Sequence, residues 1–67
     1  MNKEMIKEVK SLLVKRLSEE NLKVPSTKKL RETVIGILSM RELRGSKDYG
    51  KSIEDCVNSY IQFIKNL

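Results

Sequence analysis

Apolar and polar positions along the chain fall into three stretches of helical period, separated by two turn signals. In the first stretch Met5, Ile6, Val9, Leu12, Leu13 and Leu17 share one face at i, i+3, i+4, i+7 spacing. This predicts a helix from about residue 3 to residue 20, with Asn2 as its N-cap. Arg16 lies toward the apolar side near the end, where its stem can pack while its head reaches water. The segment Asn21-Leu22-Lys23-Val24-Pro25 ends the helix, because proline lacks an N–H and holds Val24 out of the helical region.

Ser26 and Thr27 are both good caps for a second helix that runs over about 26–43, with Leu30, Val34, Ile37 and Leu38 as its core stripe. Gly36 inside it costs roughly 1 kcal/mol relative to alanine. Gly45 is placed to end this helix in the left-handed conformation. After the loop, Ser52-Ile53-Glu54-Asp55 reads as a capping box with Asp55 in the usual place of Glu or Gln. The third helix covers about 52–66. Its apolar residues Ile53, Cys56, Val57, Tyr60, Ile61, Phe63, Ile64 and Leu67 spread over an arc of roughly 160°, wider than the usual ~100° stripe. That width predicts contact with both other helices or with a second subunit. Strict alternation never lasts four residues, so no strand is expected. The fold class is all-α: a single domain over residues 1–67, a small three-helix bundle, with completion by homodimerisation left open.

Size sharpens this picture. A chain of 67 residues buries only about 60% of the surface its unfolded form exposes. Chains this small often gain disulfides, a metal or a partner subunit. Cys56 is the only cysteine and there is no histidine, so neither an internal disulfide nor a Cys/His metal site is available. Oligomerisation is the reinforcement that remains. A single thiol fits a reducing compartment. The first ten residues have no apolar core of the kind a secretory leader carries, and no apolar run approaches the ~20 residues that span a bilayer. The expected location is cytoplasmic.

The residue inventory argues against catalysis. Without histidine there is no triad or imidazole base. Cys56 lies on an apolar face with no base near it in sequence and reads as a core thiol. Glu19-Glu20 and Glu54-Asp55 are i, i+1 neighbours that point about 100° apart on a helix. Gly50-Lys51-Ser52 is only a fragment of a phosphate-loop motif. No enzymatic activity and no cofactor are expected.

Charge points instead to binding. The net charge is +5, and it is uneven: residues 1–22 carry a net +1, residues 23–51 a net +5 and residues 52–67 a net −1. Such an excess attracts nucleic acid, acidic protein surfaces or anionic lipid. Lys28, Lys29 and Arg31 follow a turn and a cap, so they surround a helix N-terminus that already favours anions. A turn before a helix with a polar first turn is also how helix-turn-helix proteins present a recognition helix. Arg44, Lys47 and Lys51 in the second loop are expected to add contacts if the fold brings them to the same side. Arg31 is the one good base-reading side chain early in this helix, so phosphate contacts should dominate.

A competing surface is apolar. Ile35 falls among polar residues on the second helix, Val14 lies off the stripe of the first, and Phe63 belongs to the wide face of the third. These residues define a second reading: a small inhibitor or adaptor, of the kind phages and plasmids use, that docks an apolar helical face on an acidic host protein. Tyr49 is expected to cap the edge of the core rather than to stack on a base. A membrane-surface role is disfavoured, since Glu4, Glu8, Glu19 and Glu20 interrupt the polar face of the first helix.

Thr27-Lys28-Lys29-Leu30-Arg31, Glu42-Leu43 and Lys47-Asp48-Tyr49 together faintly resemble the C-terminal domain of the chromatin protein DEK. The resemblance covers about a third of the chain, and Gly50 departs from it at an apolar position. It implies a small helical DNA-binding fold.

Overall fold

The computed structural model describes residues 2–67. It contains α1 (Lys3–Glu19), α2 (Thr27–Glu42) and α3 (Ile53–Lys65), and each helix packs on the other two. This is the predicted three-helix bundle. The predicted start of α1 matches, α2 and α3 start one residue later because Ser26 and Ser52 have the extended backbone of caps, and each helix ends one residue earlier than predicted.

Local chemistry accounts for each start. Asn2 Oδ1 accepts from the Glu4 and Met5 N–H groups at 2.7 and 3.4 Å. Ser26 Oγ accepts from Lys29 N–H at 3.4 Å, and Ser52 Oγ from Asp55 N–H at 3.1 Å. Only the serine half of the expected capping box forms among the described residues.

The end of α1 is set by Asn21 rather than by proline. Asn21 has φ +57°, its N–H donates to Ser18 O at 3.1 Å, and Leu22 N–H donates to Leu17 O at 2.8 Å. These paired bonds form a Schellman motif with asparagine in the left-handed position, and Leu22 packs back on the core as the motif favours. Asn21→Ala should therefore lower stability by up to about 1 kcal/mol, because the short polar side chain of asparagine makes the left-handed region tolerable through local hydrogen bonding and alanine cannot. Asn21→Gly should keep or raise stability. Thermal melts of both variants check this, and an alanine variant as stable as the parent would refute it.

Gly45 does not cap α2 as expected. The helix closes at Leu43, whose backbone is extended, and Gly45 takes its positive φ two residues later in the loop. The last carbonyls are met from the loop: Ser46 Oγ donates to Met40 O at 2.6 Å and Gly50 N–H to Arg41 O at 3.0 Å. The loop residue that turns inward is Asp48, with Lys51 Nζ 3.4 Å from its Oδ1. Tyr49 does not cap the core; it is half exposed, because it follows the inward-turned Asp48.

The core joins Val9, Leu13 and Leu17 of α1, Leu30, Val34, Ile37 and Leu38 of α2, and Cys56, Val57 and Ile61 of α3. The stripes predicted for α1 and α2 supply it. The wide face of α3 divides: Val57 and Ile61 enter the core, and Phe63 is left 57% exposed. Val14, expected to be an exposed outlier, is partly buried against the core. Two polar ties join α1 to α3. Arg16 Nε donates to Asn58 Oδ1 at 3.0 Å, and Lys65 Nζ donates to Glu20 Oε1 at 2.6 Å. The Lys65 hydrogen bond and charge hold the Glu20 carboxyl below its ordinary value. No helix among the described residues is long and apolar enough to cross a membrane.

Candidate functional site

Two grooves flank α2. The first is basic and lies between α1 and α2, with a volume of about 570 Å³. Lys3, Lys7 and Lys10 line it from α1, and Thr27 and Arg31 from α2. Ile6 sits partly buried among them, and Glu4 is the lone carboxylate of the lining. The seven residues between Glu19 and Thr27 carry the chain back along α1, so the first turn of α2 comes beside the first half of α1. Among the described residues, none of Lys3, Lys7, Lys10 and Arg31 forms an ion pair.

The electrostatics at this end of α2 are one-sided. The first turns of α1 and α3 contain acids (Glu4, and Glu54 with Asp55), which offset the positive end of a helix dipole. The first turn of α2 contains none.

Segment charge concealed the α1 lysines, since residues 1–22 carry a net of only +1. The helical wheel does separate them. Lys3, Lys7 and Lys10 fall within an arc of about 60°, and Glu4, Glu8 and Glu19 occupy another arc of about 60° away from it.

The fold does not bring Arg44, Lys47 and Lys51 to the side of Lys28, Lys29 and Arg31. Arg31 faces the basic groove. Lys28 projects from the outer side of α2, about 60° round from Arg31. Lys29 sits one turn before Thr33, on the side that faces α3. Arg44, Lys47 and Lys51 lie past the other end of the sixteen-residue helix, ~24 Å along its axis. There Lys47 and Lys51 border a polar depression on α3 beside Asp55, Asn58 and Gln62. The fold thus gives Arg31 new neighbours from α1 and leaves the loop cations as a separate group.

The second groove is apolar, holds about 500 Å³ and runs between α2 and α3. Gly36, Ile37 and Met40 form one wall and Cys56, Tyr60 and Phe63 the other, with Lys47 and Asp48 at the loop end. Tyr60 and Phe63 form a tilted aromatic pair with ring centroids 6.5 Å apart. A Cβ on Gly36 would meet no heavy atom within 4 Å, so packing within this chain does not require the glycine.

The three apolar residues expected to form one docking patch lie apart. Phe63 lines the apolar groove, Ile35 is half-buried one turn beyond Arg31, and Val14 packs on the core. Met40, 41% exposed, and Tyr60 are groove residues that the sequence reading did not single out as surface.

Cys56 lies at the inner edge of this groove, 2% exposed, with Sγ 3.9 Å from Asp48 O. Burial pushes its thiol upward, and the nearby Asp48 charge adds to the effect. A raised native value makes the stabilising contribution complete below the unfolded value of about 8.5 and progressively lost above it. The domain should therefore lose stability as pH rises above about 8.5, and Cys56→Ser should flatten that decline. Denaturant titrations at several pH values measure this; an unchanged slope in the serine variant would contradict it.

No protein-family model, curated protein or solved structure matches the chain. The resemblance to the DEK domain accordingly rests on the quoted residues alone.

Proposed function

We propose that this protein is a small helical nucleic-acid-binding module whose contact surface is the basic groove between α1 and α2. The observation that carries this reading is the convergence of four cations without an ion-pair partner among the described residues, Lys3, Lys7, Lys10 and Arg31, on a helix N-terminus with no acid in its first turn. Side chains of this kind neutralise phosphates, and a helix N-terminus adds N–H donors at the same place. Lys28 flanks the groove and extends the contact along α2. Ser26 satisfies the Lys29 N–H, which leaves the earlier N–H groups of the helix for a ligand.

Binding of this type is governed by counterion release. With about four phosphates contacted, affinity for a duplex should fall by about two orders of magnitude between ~50 and ~200 mM salt. Sequence preference should be slight, since Arg31 is the one strong base-reading side chain in the groove. Fluorescence anisotropy with a labelled duplex and a labelled single strand, across a salt series, tests the reading. Absence of binding to both at ~50 mM salt, where the phosphate contribution is strong, would reject it.

A further inference from the structure

We infer that the apolar groove between α2 and α3 is a docking site for an acidic, amphipathic helix of another protein. Three observations converge on it. Met40 and Phe63 are 41% and 57% exposed although both border a groove of about 500 Å³, and Tyr60 makes a tilted aromatic pair with Phe63. A flexible thioether and aromatic rings around a hydrophobic groove suit the anchors of a bound helix.

Gly36 is the second. It occupies an exposed helical position where the chain gains nothing from lacking a side chain, since the space above it is open. Glycine weakens a helix interior. It also lets another backbone approach α2 closely at the floor of this groove.

Charge selects the occupant. Lys47 lines the groove, and Lys29 falls on the wheel between Gly36 and Met40. Neither forms an ion pair among the described residues. The one carboxylate in the lining, Asp48, is buried and faces Lys51. Lys29, Glu32 and Asp55 all lie outside the lining, but Lys29 shares the groove-side arc of its helix with Gly36, Thr33 and Met40, whereas Glu32 and Asp55 lie farther round theirs. The rim is therefore positive, and it steers acidic partners toward the apolar floor. A second copy of this chain fits poorly, because it would bring the same cations and its own net +5 to the contact.

The test is a selection of displayed random 16-residue peptides on the full chain, followed by anisotropy titration of the enriched sequences. Enriched peptides should carry net negative charge with apolar residues at i, i+3 or i+4, and i+7. Gly36→Leu puts a side chain into the groove at a position whose Cβ meets no heavy atom within 4 Å, and it should weaken these peptides at least tenfold while duplex binding at α1 and α2 stays unchanged. The paired reversal Lys29→Glu with Lys47→Glu should slow association about tenfold. Enrichment of basic or neutral peptides, no enrichment at all, or equal binding to the Gly36→Leu variant would overturn the inference. So would light scattering that shows a dimer of this chain dissociated by Gly36→Leu, which would make the second copy the occupant.

Discussion

Leu13→Ala should lower the melting temperature by roughly 15–25 °C and leave a large unfolded fraction in mild denaturant. Leu13 is fully buried in the cluster that all three helices share. Its truncation should cost about 2–5 kcal/mol through lost transfer energy and a residual cavity. A domain of this length has only about 3–10 kcal/mol in total. For so small a fold each kcal/mol moves the midpoint by about 4–8 °C. Cys56 is the only cysteine, so no disulfide offsets the loss. Leu43→Ala is the matched control: Leu43 is 58% exposed, and its truncation should shift stability by no more than about 0.5 kcal/mol. Circular-dichroism melts at one protein concentration compare the two. A Leu13→Ala variant that melts within a few degrees of the parent would mean that the core is not assembled as described.

The paired reversal Lys7→Glu with Arg31→Glu should reduce duplex affinity more than a hundredfold at ~50 mM salt and flatten the salt dependence by about two phosphate equivalents. Both residues line the basic groove, from different helices. The reversal Arg44→Glu with Lys47→Glu brings the net charge down to the same value but acts at the far end of α2. It should weaken the duplex less than tenfold, because those residues lie outside the groove and contribute mainly to the long-range field. Comparing equal net charges separates a localised site from general attraction. Equal losses in the two variants would remove the groove as the contact and leave only a diffuse basic surface.

Both predictions depend on features that were legible in the sequence to different degrees. The helices were legible because the apolar stripe, the serine caps and Asn2 all act within one or two turns. Leu13, Val34 and Val57 could be assigned to a core from spacing alone. Turn geometry was harder. Asn21 and Gly45 are both capable of positive φ, yet only Asn21 closes a helix. Gly45 follows an extended Leu43, and hydrogen bonds from Ser46 and Gly50 decide that loop. Such bonds depend on where the loop ends are held.

The grooves were the least legible part. Lys3, Lys7 and Lys10 were visible as a helical arc, but only the return path between Glu19 and Thr27 sets them opposite Arg31. Lys29, by contrast, lies about 160° round α2 from Arg31 and near Gly36 on the helical wheel, so that separation was readable from the sequence. The fold also separates Phe63 from Ile35 and packs Val14 partly against the core, and the exposed apolar surface lies between α2 and α3. A one-dimensional charge or hydropathy sum averages over faces that the fold points in different directions.

Helix α2 is a wall of both grooves, with Thr27 and Arg31 on one flank and Gly36 and Met40 on the other. Ligands bound on both flanks would act on the same helix. A ligand that drew α2 toward α1 would widen the gap to α3, and a helix wedged between α2 and α3 would press α2 the same way. Thermodynamic reciprocity then makes each ligand's effect on the other equal in size. In a molecule only 16 Å across its thinnest direction, little material is available to absorb such a shift. The element that divides the two surfaces is thus also the one through which a ligand on either side would be felt on the other.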